Sequence, residues 1–536
     1  MFPVMLLFLL SLTATLTVMA QDSDFSTDQQ KNNIGTKFIV AFPENIAYYH
    51  PILPFNSIEV TALYDQTKVQ IKMHNQAFWL ETLTAGQTRN VFIDVSLELK
   101  KTNMSNKSVV VLSNKDIVVN AITLKDNSVQ TALVIPTDKL STRYLIPPLP
   151  NIIGATVDTS LAVTERRPFK LVIISGDRPT TVSVVGENPQ EFSLQPQQVA
   201  QILVKKEDKL KEVQTDHPVA VLLSHACVLR SSCTCGLLQS TLSPAKNHTL
   251  RFFIPPALAS STSNTSILVS SSLLVDYDPT SPLLETSGAA ILYRPGLLLN
   301  LIPETDFASC FVVNGISLME NSIVIVIHKD FTDGVRLGDA SLSSPGWQKL
   351  QGTDYMSTDV VVEPGKHVVW HTYANMAVYF LGSKSDVPYG NPAAAISTSP
   401  DFRGCVVIPE VLLIGDVAAG WRESVKFCRD RDLELVSLSS SENITHIYTE
   451  IEKAKNGSEE DAWIGLRRSS HNGEWYWLNG EDVDDVKWDD GEPGAMNAGQ
   501  CAIMSLKSGN NLRLRDDDCC IAARPVCYRK PLLFPL

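Results

Sequence analysis

The side chains with the most evident chemistry lie near the C-terminus, where carboxylates gather in two acidic clusters. The first cluster runs from Glu481 to Glu492, and the second is the triplet Asp516, Asp517 and Asp518. Carboxylate oxygens are preferred ligands of Ca²⁺, which needs about six to eight oxygens around it. The clusters therefore favour one of two roles: a cation site, or a solvated acidic face that attracts a cationic protein partner.

The elements that must position these carboxylates occur in a recognisable order. An amphipathic segment from Trp421 to Arg431 predicts a helix, a second amphipathic helix follows it, and the tryptophan-rich runs after them predict strands of a buried core. The full series is Trp421, Cys428, Leu435–Leu438, Trp463–Leu466, Trp475–Trp477, Gly491–Pro493, Cys501, Cys519 and Cys527. This series resembles the C-type lectin-like domain, and the resemblance implies an α+β fold over residues 400–530.

The resemblance also implies where calcium and sugar would bind. Sugar-binding members of the family use a Glu-Pro-Asn motif, a glutamate two residues before the third cysteine, and an Asn-Asp pair before the fourth. Only two of these ligand positions keep a carboxylate here, Glu492 and Asp516, which are the candidate metal ligands. Together with Pro493 and Asp517 they form the set of candidate ligand-binding residues.

The other ligand positions argue against calcium, the one cofactor that the resemblance implies. Gly494 and Gly499 have no side-chain oxygen, and the permanent charge of Arg515 repels a cation. We therefore expect calcium to change the domain very little. A shifted register stays open, in which Asp516 and Asp517 replace the Asn-Asp pair, the next cysteine becomes the fourth, and one ligand is restored.

The C-terminal cysteines are expected to form disulfides. The lectin-like resemblance implies the pairs Cys428–Cys527 and Cys501–Cys519. Cys405 and Cys520 are left over by elimination, and two possibilities remain open for them: they pair with each other, or they form an interchain bond.

A second group of cysteines lies near the middle of the chain. Cys227 and Cys233 are spaced to close a small loop, which would leave Cys235 to pair with Cys310. His225 with the first three of these cysteines also has a spacing that zinc could use. We favour disulfides, because other features indicate an oxidising compartment.

Those features are an apolar N-terminus and scattered glycosylation sequons. Residues 1–20 carry no charged side chain and end in Val18-Met19-Ala20, which predicts a secretory signal peptide, with an uncleaved anchor as the alternative. No later run reaches the roughly 20 apolar residues that span a bilayer. The candidate glycosylation sites are Asn103, Asn106, Asn247, Asn264, Asn443 and Asn456.

The region from residue 36 to 382 reads as all-β, with short alternating or apolar runs separated by turn residues. A strand that ends in proline recurs at Phe38–Pro43, Tyr144–Pro148 and Phe252–Pro256, at intervals of about 107 residues. Duplication is therefore predicted, and each unit could form a small sandwich or two propeller blades. Residues 383–399, rich in Ser, Pro, Gly and Ala, predict a linker.

This β region resembles the N-terminal domain of the IgGFc-binding protein family. The resemblance rests on Val221–Cys227, on Cys233 six residues later, and on Pro255-Pro256 after the next strand. It implies an extracellular adhesion role in which immunoglobulin or mucin is a partner. The fold class that follows is multidomain, with an all-β repeat region, propeller-like or in tandem sandwiches, before an α+β C-type lectin-like domain.

Charge and motifs narrow the function further. The formal net charge of −13 opposes nucleic acid and anionic membrane surfaces as partners. Hydrolase, kinase and metalloprotease signatures do not occur, so we expect no enzyme. The sequence predicts a secreted recognition protein of mucosal or innate immunity that binds carbohydrate or glycoprotein. The alternative is a structural or protein-interaction component of mucus or extracellular matrix that does not bind sugar.

Overall fold

The computed structural model describes most of the chain from residue 33 to residue 536. Within this range it leaves out residues 48–51, 74–75, 101–103, 151–168, 205–208, 232–233, 247, 260–264, 271–272, 277, 279, 343–345, 386, 440–443, 456, 458–459, 485, 496, 498 and 508–511. The predicted signal peptide lies outside the described residues, as do all the candidate glycosylation sites except Asn106, whose side chain is exposed. No helix of the described part is long and apolar enough to cross a membrane.

The first repeat unit, residues 35–133, is an antiparallel sheet folded around one long strand. Its strands are β1 (Gly35–Val40), β2 (Phe55–Ala62), β3 (Thr67–Met73), β4 (Gln76–Leu83), β5 (Thr88–Ile93), β6 (Met104–Ser105), β7 (Val109–Lys125) and β8 (Ser128–Leu133). The first half of β7 pairs with β1 and β3, and its second half pairs with β2 and β8. The hairpin partner of β3 is β4, and β5 pairs with β2. Alternating apolar side chains of these strands face a common buried core.

The second unit, residues 141–241, repeats this pairing strand for strand. Its strands are β9 (Ser141–Leu145), β10 (Phe169–Ser175), β11 (Thr180–Val185), β12 (Gln190–Leu194), β13 (Val199–Val204), β14 (Glu212–Ser231) and β15 (Thr234–Thr241). The long strand β14 takes the place of β7, and β15 takes the place of β8. The edge strand β13 also pairs with β6 of the first unit.

The third unit, residues 250–300, is a shortened copy. Its strands are β16 (Leu250–Phe253), β17 (Ser266–Val269), β18 (Leu273–Asp276), β19 (Leu283–Thr286), β20 (Ala290–Arg294) and β21 (Leu297–Asn300). The long strand is divided into β19, which pairs with β16, and β20, which pairs with β17 and β21. The described residues of this unit contain no counterpart of the β3–β4 hairpin.

A fourth unit, residues 310–392, follows the same plan and was not found in the sequence. Its strands are β22 (Cys310–Gly315), β23 (Glu320–His328), β24 (Val335–Leu337), β25 (Ala340–Ser341), β26 (Gln348–Lys349), β27 (Tyr355–Val361), β28 (Gly365–His371), β29 (Ala377–Lys384) and β30 (Val387–Pro392). Here β28 and β29 share the role of the long strand, because β28 pairs with β22 and β24, while β29 pairs with β23 and β30. The predicted duplication is therefore extended, because the structure contains four units with this strand topology.

The four units close into a ring. The last strand of each unit lies at the centre, where β8 contacts β15 and β30, and β21 contacts the same two strands. This closed arrangement around an axis is propeller-like. The first unit keeps a folded sheet around a core of its own, as a small sandwich does, whereas the core of the second unit also includes residues of the third, among them Leu268 and Ile291.

The prediction of a linker at residues 383–399 is wrong, because this segment contains β30 and a further strand, β31 (Ala394–Ser397), which pairs with β22. Its small residues serve close packing and not flexibility. A Cβ atom on Gly390 would lie 2.4 Å from the backbone oxygen of Phe380, and one on Gly382 would lie 2.2 Å from the ring of Tyr389. Gly382 and Gly390 therefore have no room for a side chain, as expected where another backbone or ring approaches a strand closely.

The C-terminal domain is α+β. Its strands are β32 (Val406–Ile408), β33 (Val411–Ile414), β34 (Glu434–Leu435), β35 (Asp461–Arg468), β36 (Trp475–Trp477), β37 (Cys501–Ser505), β38 (Leu514–Asp517), β39 (Arg524–Arg529) and β40 (Leu532–Leu533), and its helices are α1 (Trp421–Arg429) and α2 (Ile444–Ala454). The main sheet has the order β33-β39-β35-β37-β38. Trp463 and Trp477 are fully buried in its core, as the sequence predicts.

This domain is fixed to the ring rather than tethered to it. A disulfide joins Cys310 at the start of β22 to Cys405 just before β32. Near the C-terminus, Phe534 is buried in an apolar cluster with ring residues that include Trp370. The ammonium group of Lys366 donates a hydrogen bond of 2.8 Å to the carbonyl oxygen of Pro535 and lies 5.1 Å from the Phe534 ring. A covalent bond and a buried aromatic anchor therefore hold the two parts in one orientation.

Candidate functional site

The two surviving carboxylates of the predicted site do meet. Asp516 lies on β38, and Glu492 lies in the loop before β37, next to Pro493 and a cis peptide bond between them. The backbone N–H of Gly494 donates a hydrogen bond of 2.7 Å to Oδ1 of Asp516 and one of 3.2 Å to Oε2 of Glu492. One backbone amide thus bridges both acids.

The two carboxyl groups interact directly. A hydrogen bond with the Asp516 carboxyl is the main cause that raises the pKa of Glu492 above its usual value, and burial and the negative charge of Asp516 act in the same direction. A nearby negative charge disfavours ionisation of a carboxyl group, so Glu492 is harder to ionise beside Asp516 than it would be alone.

A cation that the sequence did not predict faces this pair. Arg468, at the end of β35, donates hydrogen bonds of 3.1 Å to the carbonyl oxygen of Ala495 and 3.2 Å to that of Gly494. Its Nη1 lies 4.0 Å from Oδ2 of Asp516, and the exposed fractions of the two side chains are 10% and 1%. The guanidinium carbon lies 5.1 Å from the centre of the Trp475 ring. Arg468 is therefore a largely buried cation that lies beside the loop and binds it.

The residues present do not fit calcium. A Cβ atom on Gly499 would lie 2.4 Å from the backbone nitrogen of Asp517 and 2.7 Å from its Cα, so no side chain could replace the family's glutamate there without a backbone shift. Gly494 offers its N–H to the acids and its carbonyl oxygen to Arg468. Among the described residues, no group of three or more His, Cys, Asp or Glu side chains is arranged to hold a metal ion.

The expected role of Arg515 is wrong. Neighbouring residues of a strand point to opposite faces, so Arg515 and Asp517 lie on the face of β38 opposite Asp516. Nη2 of Arg515 is 2.8 Å from Oδ2 of Asp461 and 3.5 Å from Oδ2 of Asp517. Asp517 therefore belongs to a separate ion pair and not to the pair of Glu492 with Asp516.

The rest of the acidic cluster is divided between paired and exposed groups. The hydroxyl of Ser439 donates a hydrogen bond to Glu481. Arg513 lies 3.6 Å from Asp489 and 3.2 Å from Asp490. Further side chains of the cluster, Asp482, Asp484 and Asp518, are exposed. This arrangement matches a solvated acidic face more closely than a displaced cation site.

The disulfides exclude the shifted register. The structure pairs Cys428 with Cys527 and Cys501 with Cys519, as the lectin-like resemblance implies. Cys520 is a free, exposed thiol. It is therefore not the fourth cysteine of the motif.

Two further cysteine predictions are wrong for one reason. Cys405 pairs with Cys310, so it is available neither to Cys520 nor to an interchain bond, and Cys310 is not available to Cys235. Elimination within the C-terminal domain failed because the partner belongs to the ring, 95 residues earlier in the chain. The side chains of Cys227 and Cys233 lie outside the described residues, and their pairing stays a prediction.

Sequence reasoning missed Arg468 because its role depends on a residue that is close to it in the fold but distant in the chain. It lies 48 residues before Asp516, and only the pairing of β35 with β37 and of β37 with β38 brings the two together. Its one sequence signal is weak: it is a charged residue at the end of a buried tryptophan strand, directly before the turn between β35 and β36.

Comparisons with known proteins find relatives for both parts of the chain. The family described as Lectin C-type domain matches residues 417–529, and the family described as IgGFc binding protein matches residues 130–291. The lectin-like domain is 30% identical over 108 residues to C-type lectin lectoxin-Phi2 of Philodryas olfersii, a match that covers 20% of this chain and 69% of the relative. It is 33% identical over 89 residues to the low affinity immunoglobulin epsilon Fc receptor of Homo sapiens, covering 17% of this chain and 26% of the relative.

A longer match includes the ring. IgGFc-binding protein of Homo sapiens is 20% identical over 469 residues, which cover 74% of this chain and 8% of that relative. Among solved structures, human lithostathine is 22% identical and covers 23% of this chain and 92% of its own, with a TM-score of 0.21. The chain belongs to the C-type lectin family through its C-terminal domain. The match to the IgGFc-binding family precedes this domain, in the order that the sequence predicts.

Both parts come from families of extracellular binding proteins that are not enzymes. An extracellular recognition protein is therefore the class that the fold and the comparisons support.

Proposed function

We propose that this protein is secreted and recognises glycoproteins through its lectin-like domain without calcium. The observation that carries the proposal is Arg468. A calcium ion would have to lie beside Glu492 and Asp516, and the guanidinium group of Arg468 already neutralises that region and binds the carbonyl oxygens of the loop. Binding of a sugar through shared metal coordination has no support here, so a surface of the folded loop must make the contacts.

The partner class that we propose is the immunoglobulin Fc region, itself a glycoprotein. Two relatives support it by name, IgGFc-binding protein over most of the chain and the low affinity immunoglobulin epsilon Fc receptor over the lectin-like domain. The exposed carboxylates Asp482 and Asp484 would increase the association rate with a basic surface of such a partner. We propose no enzymatic activity.

The test measures binding of the full secreted chain to immobilised immunoglobulin Fc, with mucin and a glycan array as further targets, in calcium and in chelator. We expect Fc binding that the chelator leaves unchanged and that falls when Fc glycans are removed. A double charge reversal of the loop, Asp482→Lys with Asp484→Lys, should slow association. The matched control, Glu187→Lys with Glu191→Lys on the second repeat unit, has the same effect on net charge and should have little effect.

Two results would contradict the proposal. Chelator-sensitive binding of free glycans would indicate a calcium-dependent lectin instead. Absence of binding to Fc, mucin and the array would favour the structural alternative, a matrix or mucus component without sugar binding.

A further inference from the structure

The ring has a cavity of its own, which is distinct from the lectin-like domain. It measures about 140 Å³ and is lined by the four central strands, β8, β15, β21 and β30. An apolar cavity of about 150 Å³ admits a six-membered ring such as benzene. A pyranose or cyclitol has about twice as many non-hydrogen atoms as benzene and does not fit wholly inside this volume. The cavity is open to solvent on one side, so one edge of such a molecule can enter it while the rest lies outside.

The lining is polar at the level where the units meet. The hydroxyl of Thr131 donates a hydrogen bond of 2.6 Å to Oδ1 of Asn391, and the hydroxyl of Ser240 donates one of 3.1 Å to Oδ1 of Asn300. Each unit thus contributes one side chain, and the four side chains form two pairs that join different units. Each hydroxyl and each amide in these pairs has further hydrogen-bonding capacity.

One polar group of the lining has no partner. Gln239 on β15 is only 3% exposed and lines the cavity, and its Oε1 accepts no hydrogen bond from the described residues. A buried acceptor without a partner is costly, so such groups in folded proteins usually bind water or a ligand. Gln239 therefore indicates that a donor belongs in the cavity.

The charge of the cavity limits what that donor can be. The one carboxylate of the lining, Asp306, is held by the ammonium group of Lys246 at 2.7 and 2.8 Å. The rest of the lining combines amides and hydroxyls with apolar groups such as Leu298 and Phe311. A neutral molecule with hydroxyl groups on an apolar ring matches this mixture.

We propose that the centre of the ring binds one edge of a small neutral polyol of pyranose or cyclitol size, with a hydroxyl that enters the cavity and donates to Oε1 of Gln239. This site would act beside the lectin-like domain and does not depend on the proposed Fc recognition.

The experiment titrates the full chain, after enzymatic removal of its N-glycans, with methyl α-mannoside, methyl β-galactoside and myo-inositol in calorimetry. The test variant is Gln239→Leu, which replaces the unpaired acceptor with an apolar side chain. The control is Gln190→Leu, the same change at an exposed position of β12. We expect at least one probe to bind the unmodified chain and the control equally, and to bind Gln239→Leu about tenfold more weakly.

Three results would overturn the proposal. The first is that no probe binds, which would mean that the cavity holds only water. The second is that a probe binds Gln239→Leu as well as it binds the unmodified chain, which would place the probe elsewhere. The third is that binding is lost only when the loop of the lectin-like domain is altered, which would assign the sugar to that domain. If Gln239→Leu does not fold, Ser240→Ala removes a hydroxyl of the same lining and is judged by the same criteria.

Discussion

The substitution Arg468→Gln tests most directly whether a guanidinium group has replaced a metal ion. The change leaves the Asp516 side chain buried without its cation and removes hydrogen bonds to the carbonyl oxygens of Gly494 and Ala495. Removal of one partner from a buried ion pair costs about 3–5 kcal/mol. The 4.0 Å separation favours the lower end. We expect a loss of about 3 kcal/mol, or roughly 10 °C in the unfolding temperature of the domain.

The assay is thermal unfolding of the full chain, followed by tryptophan fluorescence because Arg468 lies over Trp475. The matched control is Arg467→Gln, one residue earlier on the same strand, which has no ion pair among the described residues and should lose much less. Adding Asp516→Asn to the Arg468 variant should recover part of the loss, because the uncompensated charge is then gone.

The pH dependence supplies an independent check. In the Arg468 variant we expect the raised folded-state pKa of Glu492 to rise further, since no cation then opposes the negative charge around it. A raised folded-state pKa gives stability that is present at low pH and lost as pH rises through it. The deficit of the variant should therefore be smaller at pH 5 than at pH 8. A deficit below 1 kcal/mol that Asp516→Asn does not change, and that is the same at both pH values, would refute the reasoning.

The remaining predictions concern the domain junction, the loop and the ring. Replacing both Cys310 and Cys405 with serine should lower the stability of the C-terminal domain by about 2–5 kcal/mol, and calorimetry that finds no change would contradict its fixation by this bond. Gly499→Ala should destabilise the loop without creating a calcium response, since its Cβ would meet the Asp517 backbone; a chelator-sensitive rise in melting temperature would contradict this. The ring nitrogens of His371 bind backbone groups in the neutral form, and burial lowers its pKa although nearby Asp333 opposes the shift. Stability should therefore fall as pH drops below about 6.5, and His371→Gln should remove that part of the slope in urea unfolding at pH 7.5 and 5.5.

The sequence predicted the parts of the fold that depend on local pattern. The helix from Trp421, the buried tryptophan strands and the family order of cysteines all depend on spacing along one segment, which a sequence displays directly. The alternation of β38 was equally visible, and applying it would have placed Arg515 on the face opposite Asp516.

What the sequence concealed depends on contacts between distant segments. Cys310 and Cys405 pair across a domain boundary, and the composition of residues 383–399 is the same for a flexible linker as for closely packed strands. The fourth unit escaped because its first strand, β22, lacks the proline that ends the corresponding strand of the other three units. Repeats that keep topology while losing sequence are found only in the folded chain.

The charges in the loop make the replacement of calcium self-consistent. A calcium ion brings two positive charges to two carboxylates, whereas Arg468 brings one. The nearby Asp516 carboxyl raises the pKa of Glu492, so a second negative charge beside Asp516 is less favourable and less positive charge is needed to balance the pair. Arg468 is covalently attached and binds the carbonyl oxygens of Gly494 and Ala495. We therefore expect this loop to keep its structure at any calcium concentration.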